Sequence, residues 1–221
     1  MILIFLFGAI ILLALGIYGY VRYKRVSYNN YSKLSFPIEK TTHNFSIQHA
    51  NLNDINSIRN LALEIWPKTY AETYSPQQVI YMLNKWFSEA SLQRQMTIGH
   101  QYHIINAGNQ SIGFASYSEV APSVYKLHKI YILPAYQGLG AGKFTMDKII
   151  AELTAKKAAA LTLNVNQYNP AKAFYEQLGF TVAKTEFSEV GNGYFINDFV
   201  MELKLSQQAP IPQSQSILRS L

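Results

Sequence analysis

The chain has 221 residues, 49% of them hydrophobic and 14% charged, which suits one packed domain and excludes a mainly disordered chain. It contains no cysteine, so a disulfide framework, a thiolate metal site, an iron–sulfur cluster and a cysteine nucleophile are all excluded. The net charge of +6 is not spread evenly: residues 45–205 carry 13 Lys and Arg against 12 Asp and Glu, and most of the surplus sits in Arg22, Lys24, Arg25, Lys33 and Lys40. A nucleic-acid binder carries its positive field on the folded domain, so no nucleic-acid partner is expected.

Residues 1–21 (MILIFLFGAIILLALGIYGYV) contain no charged side chain. As a helix rising about 1.5 Å per residue they would reach roughly 31 Å, close to the hydrocarbon thickness of a bilayer. Tyr18 and Tyr20 then fall at the interface, and Arg22, Lys24 and Arg25 follow at once, the pattern of a cytoplasmic flank. The expectation is a single-pass membrane anchor with the remaining chain in the cytoplasm. A cleaved signal peptide is the competing reading, weakened by the lack of any basic residue before the apolar run. Residues 22–44 read as a polar juxtamembrane linker. Residues 206–221, rich in Gln, Ser and Pro, read as a disordered tail. One domain is expected over 45–205.

Within that domain FSIQHA (45–50) alternates as a strand. Asn51, Asn53 and Asp54 offer caps for a helix through Ile58, Leu61, Leu63 and Ile65, broken at Pro67. Ser75-Pro76 opens a second helix, whose apolar side is read as Ile80, Met82, Leu83 and Trp86. Residues 102–107 and 111–120 form a strand pair around Gly108-Asn109, and 126–133 is a strand ended by Pro134. A glycine turn and a helix over 139–157 follow, then a buried strand at 161–165 and a helix over 170–178. Two strands near 180–187 and 194–203 close the domain. Strands and helices alternate in the middle while hairpins stand at both ends, which predicts an α/β domain with a mixed sheet flanked by helices.

The turn Gln137-Gly138-Leu139-Gly140-Ala141-Gly142-Lys143 lies between a strand and a helix. Glycines there let the backbone turn with positive φ and approach a ligand closely, and the helix adds its positive end; the pattern suits phosphate. It is not a P-loop, because only three residues separate Gly138 from Gly142 and Phe144 follows the lysine. Nor is it a dinucleotide fingerprint, which needs glycine where Lys143 stands.

The remaining pattern, Gln137-x-x-Gly140-x-Gly142, resembles the pyrophosphate loop of the GCN5-related N-acetyltransferases (GNAT). A second motif lies at the family's separation: Phe174, Tyr175, Leu178, Gly179 and Phe180 resemble its recurrent F-Y-x-x-L-G-F. The resemblance covers roughly residues 45–205 and is strongest over 126–180. It implies a GNAT-like fold whose central strands splay apart to hold acetyl-CoA. The backbone of Ile130, Tyr131 and Ile132 would then bond the pantetheine arm, and the N–H groups from Gln137 through Gly138, Leu139, Gly140, Ala141 and Gly142 to Lys143 would hold the pyrophosphate. Asn169 and Lys172 would reach the pantetheine and the 3′-phosphate region.

The reaction implied is direct transfer of the acetyl group to a primary amine, with Tyr175 protonating the leaving sulfur. Glu119 and His128 are the candidate bases, with Asp198 a weaker third. No metal is implied, since the histidines lack metal-ligand spacing such as H-E-x-x-H. The aromatic residues from Trp66 to Phe87 are expected to shape the acceptor pocket. Many members of the family pair as homodimers, so a dimer is among the arrangements the resemblance allows. A tethered, non-catalytic acyl-CoA sensor is the alternative; it would keep the glycine turn without needing Tyr175.

Overall fold

A computed structural model describes residues 44–205 of the chain. The expected anchor (1–21), nearly all of the linker (22–44) and the tail (206–221) lie outside the described residues. Among the described residues no helix is long and apolar enough to cross a membrane.

The elements are β1 (Phe45–Ala50), α1 (Ile55–Thr69), α2 (Pro76–Phe87), α3 (Glu89–Thr97), β2 (Gln101–Ala107), β3 (Gln110–Ala121), β4 (Val124–Ile132), α4 (Ala141–Ala155), β5 (Ala160–Asn166), α5 (Ala171–Gln177), β6 (Thr181–Gly191) and β7 (Tyr194–Lys204). They build one seven-stranded sheet in the order β1-β2-β3-β4-β5-β7-β6. Only β4 and β5 are parallel, joined by the α4 crossover; every other neighbouring pair is antiparallel. The mixed sheet follows the sequence pattern.

The helices cover both faces, and each face has its own core. α1, α2 and α3 pack with Tyr102, Ile104, Ile112 and Phe114. On the other side α4 and α5 pack with Leu127, Leu161, Leu163, Met201 and Leu203. α1 buries Ile58, Leu61, Ala62, Ile65 and Trp66, the stripe that 3.6 residues per turn dictates.

Several local expectations are corrected. Leu63 and Ile80 face solvent rather than the core, because each stands about 200° around its helix from Leu61 and Met82 respectively. Val79 and Phe87 take the inward places in α2. Pro67 does not break α1, which continues to Thr69. It sits in the last turn, where the Thr69 hydroxyl donates to the Ile65 carbonyl at 3.0 Å and Tyr70 N–H donates to that of Trp66 at 3.0 Å. α3 was not foreseen: its sequence EASLQRQMT is mostly polar and buries only Leu92.

The strand that positions the site is β4. Antiparallel to β3, it carries a bulge at His128, since Ser116 pairs with Lys129 and Tyr117 with Leu127. On its other side only Val124–Leu127 pair with β5, at Ala160–Leu163. β5 meanwhile stays paired with β7 as far as Asn166. Beyond Leu127 and Leu163 the two parallel strands therefore part, and a V opens between them.

Candidate active site

The open edge of β4 supplies backbone groups. Leu133 N–H donates to Ile112 O on the β3 side at 2.8 Å. Antiparallel pairing alternates direction, so Tyr131 also turns its backbone toward β3, while Ile130 and Ile132 turn theirs toward the V. Tyr131 therefore brings its side chain, not its backbone, to the site. The Ile132 carbonyl is already engaged, accepting from the Gln137 side-chain amide at 2.9 Å.

That bond locks the following turn. Gln137 N–H donates to Pro134 O at 3.2 Å, so Gln137 braces the loop with both its backbone and its side chain. Gly138 (φ 74°) and Gly140 (φ 95°) hold left-handed conformations that other residues adopt only under strain. A Cβ at either would meet nothing within 4 Å, so the space before the turn is open. Gly140 is the N-cap of α4, and no side chain caps the N–H groups that follow. Free donors, a helix's positive end and the absence of any acidic residue from 137 to 143 suit a pyrophosphate. Lys143 is exposed and holds Asp147 at 2.7 Å. Leu139 is also exposed, whereas Ala141 is buried in the core.

At the far wall of the V, Asn169 accepts from Ala171 N–H at 2.9 Å and so caps α5. Lys172 pairs with Glu176 and lies 5.5 Å from the centre of the Phe199 ring. Tyr175 is buried, packed between Phe174 and Phe180 with ring centres 5.3 and 5.7 Å away. Burial, and next the Tyr70 hydroxyl, push its phenol well above the ordinary tyrosine range, so it carries its proton at every physiological pH.

A cluster of polar groups gathers where the V meets α1. The Tyr70 and Tyr131 hydroxyls are 3.2 Å apart. Tyr74 receives a bond from Asn166 Nδ2 at 2.9 Å, and its ring centre lies 5.3 Å from that of Tyr70. Burial raises Tyr70 to about 12 and lifts Tyr131 and Tyr74 as well. Asp198 pairs across the sheet with Asn166 and acts electrostatically on both Tyr70 and Tyr74. Its carboxyl is raised above the usual aspartate value by burial, despite a 3.5 Å bond from Asn164 Nδ2. A buried carboxylate of raised pKa is a stronger base than an exposed one.

The other candidate bases stand elsewhere. Glu119 accepts from Ser123 N–H at 2.8 Å and closes the β3–β4 hairpin. It pairs with Tyr125, six positions or about 20 Å along β4 from Tyr131. His128 bonds Ser118 Oγ at 2.8 Å and stacks on His100 with ring centres 4.1 Å apart, both partners coming from the β3 side of β4. Burial, then His100 and two lysines, lower its pKa to about 3, which leaves it a weak base. Of the three carboxylate and imidazole candidates, only Asp198 sits with the tyrosines. Tyr70 and Tyr74 were visible in the sequence as part of an aromatic stretch. Asn164 and Asn166 had no signal beyond the asparagines of LNVNQYN, because their role depends on the strands parting.

A sheet that opens beside a glycine turn, with a buried phenol on the facing helix, defines an acyltransferase of the kind the two motifs resemble. A family model described as an acetyltransferase (GNAT) domain matches residues 70–204. The chain belongs to this family of acetyltransferases. It is 43% identical over 72 residues to a [ribosomal protein bS18]-alanine N-acetyltransferase of Haemophilus influenzae, covering 33% of this chain and 49% of that protein. This match spans about half the length of the Haemophilus relative. An uncharacterized N-acetyltransferase of Mycobacterium bovis is 26% identical over 157 residues, 70% of this chain and 99% of its own. Among solved structures, the PaiA N-acetyltransferase of Thermoplasma acidophilum in complex with coenzyme A superposes with a TM-score of 0.61 at 24% identity, covering 72% of this chain and 98% of its own. At these identities the likeness is one of fold.

Proposed function

We propose that this acetyltransferase moves the acetyl group of acetyl-CoA to a primary amine that arrives as an ammonium. The observation carrying the reading is the convergence of Tyr70, Tyr74, Tyr131 and Asp198 near Tyr175 at the mouth of the V. Acetyl-CoA fits the residues present: the Ile130 backbone and the Ile132 N–H for the pantetheine arm, and the glycine turn for the pyrophosphate. Asp198 takes a proton from the ammonium, and the neutral amine forms the new C–N bond as the C–S bond breaks. Tyr175 supplies a hydrogen bond and then the proton to the departing sulfur, and the nitrogen, cationic once acylated, gives up its second proton to restore the Tyr175 phenol, directly or through water. An ordinary thiol titrates near 8.5, well below this phenol, so the sulfur keeps the proton only because the acidic, acylated nitrogen reprotonates the phenolate. Tyrosine faces and one carboxylate favour a cationic acceptor.

The segment 1–21 would tether the enzyme to a membrane with its domain in the cytoplasm, a reading supported by the uncharged run and the basic residues after it. The test of the activity is thiol release from acetyl-CoA with a panel of amines and peptides, including one beginning with alanine. Amine-dependent release should fall at least tenfold in Tyr175→Phe. Release that is unchanged in that variant would remove Tyr175 from the chemistry. Failure of the folded protein to bind acetyl-CoA would overturn the donor assignment.

A further inference from the structure

Three potential ligands meet on the sheet face away from the tyrosine cluster. His49 on β1 and His103 on β2 are directly paired across the strands, so both project from the same face with ring centres 4.2 Å apart. Glu152, in the last turns of α4, lies over them. One ring nitrogen from each histidine and one carboxylate oxygen lie within 4.8 Å of one another. His103 is 3% exposed, its Nδ1 has no hydrogen-bond partner, and its Nε2 stands 4.0 Å from Glu152 Oε2, beyond hydrogen-bond reach. A buried imidazole with so little satisfied polarity needs a partner the chain does not supply.

We propose that His49, His103 and Glu152 bind a divalent transition-metal ion, with zinc the best fit to two imidazoles and a carboxylate. Tetrahedral zinc places neighbouring ligand atoms about 3.3 Å apart. The ligands must therefore close by roughly 1.5 Å at most, and the exposed His49 side chain can supply most of that movement. Water fills the remaining position from the solvent side. Lys156 opposes the ion, since its ammonium holds the other oxygen of Glu152 at 2.8 Å; binding turns it outward to solvent. The ion would tie β1 and β2 to α4, the helix whose first turn follows the glycine loop. The site is thus a brace for the cofactor-binding element, remote from the reacting atoms, and it stands independently of the acceptor chosen.

The test uses the full chain without a histidine tag, stripped with a chelator and titrated with zinc or cobalt(II). One ion should bind per chain, and the visible spectrum of bound cobalt should show imidazole ligation. At about a hundredfold excess over Kd, zinc should raise the thermal midpoint by roughly 5 °C. His49→Ala removes an exposed side chain, so it should fold normally yet lose at least tenfold in affinity, and Glu152→Gln should do the same. His43→Ala and His100→Ala should bind as the parent does. No stoichiometric binding to the parent, or equal binding by His49→Ala and Glu152→Gln, would overturn the assignment.

Discussion

Asp198 shows how position along a strand becomes chemistry. It sits opposite Asn166 at the end of the β5–β7 pairing, where the sheet opens and water is partly excluded. Burial, and the neighbouring Glu186, raise its pKa above that of an ordinary aspartate. A general base must be ionised, so the rate should fall as pH drops through this raised value, placing the acid limb higher than for an exposed carboxylate. Asp198→Asn should lower kcat/KM by roughly a hundredfold, within the usual range for a lost acid–base group, and erase that limb. A variant whose profile keeps the same acid limb would assign the base elsewhere. Gln137 is instructive in another way: the sequence pointed to its N–H for the cofactor, whereas its amide and backbone both serve to hold the loop.

At the scale of elements, the close approach of β3 and β4 depends on Gly113. A Cβ there would lie 2.3 Å from the Tyr131 carbonyl oxygen and 3.1 Å from Ile132 Cα, both backbone atoms that cannot rotate aside. Gly113→Ala should therefore push β4 away from β3 and displace Tyr131 from Tyr70. Overpacking of this kind costs about 1–3 kcal/mol. For a domain of this size the thermal midpoint should fall by roughly 3–10 °C, with KM for acetyl-CoA rising because the open edge moves. An unchanged midpoint would mean that the strand shifts freely. The elements themselves were largely legible in the sequence, since apolar stripes and turn residues mark them locally. The misreadings have local causes too: Leu63 and Ile80 are apolar but point the wrong way around their helices, and α3 buries too little to leave a stripe.

At the scale of the molecule, two half-buried histidines make stability depend on pH. His100 and His128 stack within the domain, and burial lowers them to about 4 and about 3. Between pH 6.5 and 4 the unfolded chain accepts protons that the folded chain refuses, so stability falls as pH falls through that window. The raised Asp198 acts with the opposite sign, because the folded state holds its proton more tightly there. The histidines outnumber it, and the thermal midpoint should decline from pH 7 to pH 4. His128→Phe keeps a ring against His100 and removes one titrating site, so its midpoint should decline less steeply. Equal slopes in scanning calorimetry would show that His128 is solvated in the folded state.

The sequence by itself determined the mixed sheet and the place of the glycine turn between a strand and a helix, because each is written in contiguous residues: a period, a cap, a run of glycines. It also carried the family, through two motifs at a set separation. What only the tertiary structure decided is which distant residues share a site. Asp198 joins Tyr70 because β4 and β5 part after Leu127, and Glu119 does not because it closes a hairpin about 20 Å along the strand. His49 meets His103 because β1 and β2 are in that register, a fact no spacing along the chain contains. Strand register and the divergence of the central pair are set by packing on both faces at once, and packing is a property of the whole fold.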